Sequence, residues 1–121
     1  MLAAGDFSPP REAADDDRLR RVIDFLFAHY REDITLGEVS AVAFLTPPAF
    51  CRFFKKRTGK SFFNFLNEFR VNQACQLLIS GDTAVRRIAR EVGFRSLTNF
   101  NRMFKKLKGE TPTGYRRGFR G

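Results

Sequence analysis

The chain has few of the side chains that build metal centres, disulfide scaffolds or catalytic sites. Its 121 residues include two cysteines, one histidine and no tryptophan. Cys51 and Cys75 are too few for a disulfide framework, and one histidine without a Cys-x-x-Cys pair does not supply the ligands of a zinc site. The sequence also has no conspicuous pair of carboxylates that could serve as the clustered acid, base or nucleophile of a catalytic site. The sequence therefore argues against an enzyme and predicts no metal and no cofactor.

Long apolar runs and strand-like alternation are also missing. No segment approaches the roughly 18 apolar residues that a membrane span needs. The N-terminus has no basic-then-apolar signal sequence, so the sequence predicts a cytoplasmic location. The hydrophobic content of 43% and the fifteen phenylalanines nevertheless suffice for a folded core.

Acidic side chains are the minority, and they are unevenly distributed. The chain carries 22 Lys and Arg against 13 Asp and Glu, a net charge of +9. Residues 1–17 hold five carboxylates and one arginine, net −4, which leaves +13 for residues 18–121. The first stretch, which contains Pro9 and Pro10, is typical of a flexible tail or an interdomain linker. The basic remainder indicates a polyanion as partner, most often a nucleic acid.

Helix-start and helix-stop residues divide this basic region into seven helices, which predicts an all-α fold. A helix start is indicated by negative charge before the helix, by Ser or Thr at its N-cap and by Pro in its first turn. A helix end is indicated by Gly after the last turn. The predicted starts are Asp15–Asp17, Thr35 with Glu38 as a capping box, Thr46–Pro47, Ser61, Ala84, Ser96 and Thr111–Pro112, and the predicted stops are Gly59, Gly81, Gly93 and Gly109.

Part of the pattern repeats at an offset of fifty residues. The matched pairs are Phe50/Phe100, Arg52/Arg102, Phe54/Phe104, Lys55/Lys105, Lys56/Lys106 and Gly59/Gly109. Each copy is a short helix, a tight turn and a longer helix that ends in a basic pair. That layout is the helix-turn-helix, in which the second helix enters the major groove of DNA.

The sequence resembles the AraC/XylS family of bacterial transcription regulators over roughly residues 18–119. The most specific segments are Ile88–Phe94 (IAREVGF), Asn99–Lys106 (NFNRMFKK) and Gly109–Arg116 (GETPTGYR), and Gly59–Arg70 is similar to the family's central linker helix. The resemblance implies two homeodomain-like subdomains at residues 18–60 and 81–121. They are joined by a linker helix at 61–80, with residues 1–17 ahead of them.

On each second helix, the face opposite the phenylalanines is the one that can meet DNA. Arg can bond guanine, Asn can bond adenine, and apolar side chains can contact a thymine methyl group. We expect base contacts from Pro48, Ala49, Cys51 and Arg52 in the first half and from Leu97, Thr98, Asn101 and Arg102 in the second. The family resemblance places base contacts at all of these positions except Ala49. Arg52 and Arg102 have an alternative role as surface ion-pair partners.

Phosphate neutralisation is expected from the basic ends of the same helices. The candidates are Lys55, Lys56, Arg57, Lys60, Lys105, Lys106 and Lys108. Backbone amides of the helices that begin at Thr35, Ser61 and Thr111 are further candidates. Such contacts set affinity and register and carry little sequence information.

Two positions depart from the family pattern. Phe44 stands in the first turn where a glycine is usual, so we expect that turn to be adjusted or strained. Ala84 replaces the usual capping serine, and we expect Asp82 or Thr83 to cap the fifth helix instead. Arg70, in the linker helix, is expected to be a structural hydrogen-bonding residue.

The resemblance implies double-stranded DNA as the partner and activation through contact with RNA polymerase. Most members carry a sensor domain ahead of this module, so the chain is either a stand-alone regulator or, as we favour, the DNA-binding end of a longer one. The alternative function is a non-specific architectural DNA- or RNA-binding protein that uses the same basic surface.

Overall fold

The structure, a computed structural model, describes residues 11–120 and the side chains of residues 13–119. Within that range the chain forms seven helices and no strand, so the predicted all-α class is confirmed. The helices are α1 (Arg11–His29), α2 (Leu36–Val42), α3 (Pro47–Thr58), α4 (Phe62–Ser80), α5 (Val85–Glu91), α6 (Leu97–Lys108) and α7 (Pro112–Arg120).

Side-chain caps begin α2, α3, α4 and α6 where the sequence predicts them. The Thr35 hydroxyl accepts from the amide of Glu38 at 3.1 Å, completing the capping box. Ser61 and Ser96 accept from the third amide of α4 and α6 at 3.2 and 3.1 Å. Gly59 and Gly109 end α3 and α6 at φ 80° and 81°, and each donates its amide to a lysine carbonyl at 2.8 Å. The two copies of the repeat therefore share one backbone geometry.

Helices α1 and α7 differ from the sequence predictions. Helix α1 begins at Arg11, so residues 11–17 of the expected tail are helical, and residues 1–10 lie outside the described part. Ion pairs support these first turns, since Asp15 contacts Arg18 at 2.9 Å and Asp16 contacts Arg57. Helix α5 has Ala84 as its N-cap residue, whose side chain makes no capping bond, and a cap from Asp82 or Thr83 stays a prediction. Helix α7 extends over nine residues, whereas the Thr111–Pro112 signal predicts only one last turn.

The phenylalanines and aliphatic residues form two cores that both draw on α4. The first core holds Val22, Leu26, Ile34, Val39, Ala43, Phe50, Phe54, Phe62 and Leu66. The second holds Val71, Ala74, Cys75, Leu78, Ile88, Ala89, Val92, Phe94, Phe100 and Phe104. The buried face of α4 thus passes from one core to the other between Leu66 and Val71. Tyr30 packs against both cores from the end of α1.

The turn between α2 and α3 is strained, as the sequence predicts. Phe44 has φ 57°, whereas the equivalent turn of the second copy has Gly93 at φ 104°. The Phe44 ring is 76% exposed, and the guanidinium of Arg21 lies 5.1 Å from its centroid. A phenylalanine with positive φ pays about 1 kcal/mol in backbone strain.

We therefore expect Phe44→Gly to raise the free energy of unfolding by up to about 1 kcal/mol. The relief of backbone strain exceeds the loss of one exposed ring contact with Arg21. Chemical denaturation of both proteins measures the difference, with Phe63→Gly as a helical control that should lose stability. A clear loss of stability in Phe44→Gly would contradict the assignment of strain to this turn.

Candidate nucleic-acid interface

Helices α3 and α6 present equivalent faces and pack into the two different cores that α4 shares. Phe50 and Phe54 anchor α3 in the first core, and Phe100 and Phe104 anchor α6 in the second, all with no exposed surface. The structure brings the predicted base-reading side chains to the opposite faces. Pro48, Cys51, Arg52, Thr98, Asn101 and Arg102 are exposed, and Ala49 and Leu97 are half-buried. Leu97 also packs against the second core, which leaves part of its side chain for a ligand.

Arg52 and Arg102 are available to a ligand. Within residues 13–119, neither side chain takes part in an ion pair, which disfavours the alternative role predicted for them. Arg102 donates from Nη2 to the Asn99 side-chain oxygen at 2.7 Å, so its guanidinium is held along α6. A guanidinium held in this way loses less conformational freedom when it binds a base or a phosphate.

The predicted phosphate-binding side chains fall into two groups. Lys55, Lys56, Lys105 and Lys106 are exposed and have no ion pair among the described residues. Arg57, Lys60 and Lys108 already have partners in the chain, in Asp16, Glu68 and Asn72 respectively. These three would exchange a protein oxygen for a phosphate oxygen on binding, so they contribute less than the first group.

The three helix N-termini proposed for phosphates also differ. Ser61 and Thr111 each accept one amide of their helix, from Asn64 at 3.2 Å and Gly114 at 3.0 Å. At Thr35 the capping box brings the carboxylate of Glu38 to 3.0 Å from the hydroxyl. A phosphate approaching α2 meets that negative charge, so Thr35 is the least favourable of the three sites.

Acidic residues of α1 lie beside the exposed face of α3 that carries the predicted base-reading residues. An open groove of about 900 Å³ is lined by Asp15 and Asp16 from α1 and by Ala49, Arg52 and Lys56 from α3, among others. The interface of the first copy is therefore less positive than the local sequence of α3 suggests. Helices α3 and α6 themselves each carry four basic residues and no acidic one, so the acidic residues of α1 account for this difference from the local sequence of α3.

Two arginines near the second copy were not among the predicted site residues. Arg86 and Arg90 are exposed on α5 and line, with Leu97, a cavity of about 150 Å³ at the start of α6. The first helix of a helix-turn-helix crosses the DNA backbone, so these side chains are further candidates for phosphate contacts. Their spacing of four residues, which places both on one face of α5, was the available signal.

Over the described residues, no helix is long and apolar enough to cross a membrane. The same residues contain no group of three His, Cys, Asp or Glu side chains that could hold a metal ion.

Two short-helix, turn and longer-helix units on a shared scaffold, each with an exposed basic face, define a double helix-turn-helix domain. A helix-turn-helix domain family matches residues 39–118. The chain belongs to this family, in its AraC type, whose members are DNA-binding transcription regulators rather than enzymes.

Relatives and solved structures agree with this assignment. The chain is 31% identical over 101 residues to the regulatory protein PocR of Salmonella typhimurium, covering 84% of this chain and 33% of PocR. The chain thus spans about a third of the length of that relative. The DNA-binding domain of AdpA, solved with a target DNA, is 30% identical with a TM-score of 0.81, covering 85% of this chain and 93% of that one. The C-terminal domain of the response regulator AraT from Geobacillus stearothermophilus is 31% identical with a TM-score of 0.79, covering 84% of each chain.

Proposed function

We propose that the domain binds double-stranded DNA sequence-specifically by inserting α3 and α6 into two successive major-groove segments. The observation that carries this proposal is the pair of matched helices with exposed arginines at equivalent positions, Arg52 and Arg102, neither of which forms an ion pair within residues 13–119. The 19 residues of α4 span about 28 Å, close to the roughly 34 Å between successive major grooves on one side of DNA. A modest bend in the DNA closes the remaining gap.

The two helices make unequal contributions to this recognition. On α6, Asn101 and Arg102 offer hydrogen bonds to adenine and guanine, while Thr98 and Leu97 suit thymine methyl groups. On α3, Arg52 is the one hydrogen-bonding reader, and Pro48, Ala49 and Cys51 give apolar or shape contacts. The half-site bound by α6 therefore carries more of the specificity. Because the two readers differ, the site of one molecule is not a palindrome.

The domain acts as the DNA-binding part of a bacterial, cytoplasmic transcription regulator, most simply an activator that contacts RNA polymerase. An N-terminal sensor domain completes the regulator. The length of PocR, of which the matched region is about a third, supports this arrangement. So does AraT, a response regulator whose C-terminal domain has the same fold.

Arg102→Ala tests base reading directly. Sites selected from random duplexes provide the specific DNA, and fluorescence anisotropy over a range of salt concentrations gives the affinities. We expect Arg102→Ala to weaken binding to the selected site by about 1–3 kcal/mol and to relax the preference at one base pair. Lys106→Ala is the matched control, since a lost phosphate contact weakens all duplexes evenly and lowers the salt slope by about 1.

Two outcomes contradict the proposed function. Equal affinity of the unaltered protein for selected and random duplexes at every salt concentration excludes specific recognition. Uniform weakening by Arg102→Ala across all sequences indicates a non-specific architectural or RNA-binding role instead.

A further inference from the structure

The two helix-turn-helix units meet at a second place besides α4. The corner between α1 and α2 lies against the turn between α5 and α6, and Arg70 of α4 lies between them. We call this contact the junction; it consists of Tyr30, Glu32, Asp33, Arg70, Gly93, Phe94 and Arg95.

Arg70 makes two hydrogen bonds from its guanidinium to the backbone that follows α1. Nε donates to the carbonyl oxygen of Tyr30 and Nη2 donates to that of Glu32, each at 2.8 Å. The side chain is half-buried, and this burial lowers the pKa of its guanidinium. Two hydrogen bonds to fixed backbone atoms hold the planar group in one orientation, which a single flexible amine does not achieve.

Three consecutive residues of the second unit, Gly93, Phe94 and Arg95, lie against Arg70 and the corner between α1 and α2. A methyl group on Gly93 would lie 2.4 Å from the carbonyl oxygen of Tyr30 and 2.7 Å from Nε of Arg70. The Phe94 ring centroid lies 6.0 Å from the guanidinium carbon of Arg70. Arg95 forms an ion pair with Asp33, with Nε at 2.8 Å from Oδ1. Backbone, ring and charge from the second turn therefore all contact the corner of the first unit or the arginine bound to it.

We propose that the junction, through Arg70, sets the distance and angle between α3 and α6 and thereby the half-site spacing that the domain accepts. Arg70 is a positioning residue and lies on neither reading face. The buried face of α4 changes from the first core to the second at Leu66–Val71, so the two units would share only one helix there without the junction. A direct contact between the two units restrains their relative rotation and tilt more than the shared helix does alone. This inference rests on the proposed function, since spacing matters only if both helices read DNA.

The first experiment measures binding to operators whose two half-sites are moved apart or together by one base pair. Each base pair shifts the second half-site by about 3.4 Å and rotates it by about 35°. We expect the unaltered protein to lose about 10- to 100-fold in affinity on either change. In Arg70→Met and in Asp33→Asn the penalty should shrink, by roughly tenfold in Arg70→Met.

Arg116→Met is the matched control. Arg116 makes the same kind of contact within the second unit, donating to the carbonyl oxygens of Leu78 at 2.9 Å and Thr83 at 2.6 Å. It lies outside the junction, so its loss lowers stability and leaves the spacing penalty unchanged. Thermal unfolding of each variant identifies the temperature at which all of them are folded, and binding is measured there. Asp33→Asn removes an exposed charge and tests the junction even if Arg70→Met does not fold.

The second experiment needs no DNA. Spin labels at Cys51 on α3 and at Asn101→Cys on α6, in a Cys75→Ala background, report the distance between the two helices. We expect a narrow distance distribution that broadens in Arg70→Met and stays narrow in Arg116→Met.

The outcomes separate the two proposals. If the unaltered protein binds selected and random DNA equally, the proposed function fails, and the distance distributions still decide whether the junction positions the helices. If it binds specifically but Arg70→Met and Asp33→Asn keep the full spacing penalty and Arg70→Met keeps a narrow distance distribution, the junction inference is wrong and the proposed function stands.

Discussion

Phe54→Ala is expected to lower the free energy of unfolding by about 3–5 kcal/mol. The ring has no exposed surface, and its centroid lies 5.7, 5.4 and 5.4 Å from those of Phe50, Phe62 and Phe65. Truncation removes all three ring contacts and leaves a cavity that helices fixed on both sides cannot fill. The free energy of unfolding of a domain of this size is about 5–15 kcal/mol in total, so the variant retains only part of its stability.

Urea denaturation followed by circular dichroism measures this loss. Phe63→Ala is the control in the neighbouring helix, because that ring is 41% exposed and contacts Phe62 at its edge. Its cost should stay near 1 kcal/mol. Because α4 belongs to both cores, Phe54→Ala should also lower the unfolding midpoint reported by a probe in the second unit, by the same amount as the midpoint reported by circular dichroism. Equal costs for the two substitutions would contradict the packing described here.

The second large effect is expected from Gly93→Ala, which should lower the free energy of unfolding by about 3 kcal/mol or more. Positive φ alone costs an alanine about 1–2 kcal/mol. At Gly93 the added methyl group also lies 2.4 Å from the backbone oxygen of Tyr30, which α1 and Arg70 hold in place. The junction has to open or the turn has to change conformation, and either response breaks hydrogen bonds.

Gly59→Ala and Gly109→Ala are the controls for this prediction. Both glycines have positive φ, at 80° and 81°, and a methyl group on either would meet nothing within 4 Å. In these variants the free energy of unfolding should fall only by the cost of positive φ for an alanine, about 1 kcal/mol each. Thermal and urea unfolding of the three variants separate strain from collision. Similar losses at all three glycines would mean that the turn at Gly93 is not in close contact with Tyr30.

Features fixed by neighbouring residues were predictable from the sequence. The caps at Thr35, Ser61 and Ser96 depend on residues three positions apart, and the strain at Phe44 follows from comparing it with Gly93. The exposed reading faces follow in the same way from the helical spacing of buried phenylalanines. Whether those faces contact bases is still a prediction.

Features that depend on distant residues were not predictable. Asp16 and Arg57 are 41 positions apart, and Arg70 and Tyr30 are 40 positions apart. No local pattern reports such pairs, so residues 11–17 resembled a tail instead of the start of α1. The burial of Val71 on α4 was not predictable for a related reason. Val71 is buried because the inner face of α4 turns from one core to the other, which a search for a single stripe does not detect.

The sharing of α4 also explains why a repeated unit gives seven helices instead of eight within residues 11–120. Arg70 of α4 binds the carbonyls at the end of α1, and Arg116 of α7 binds those at the end of α4. Helix α4 is thus the last helix of one four-helix unit and the first of the next. Neither unit can be excised with a complete set of helices unless α4 is copied into both pieces. A single cleavage within α4 would therefore disable both halves of the protein.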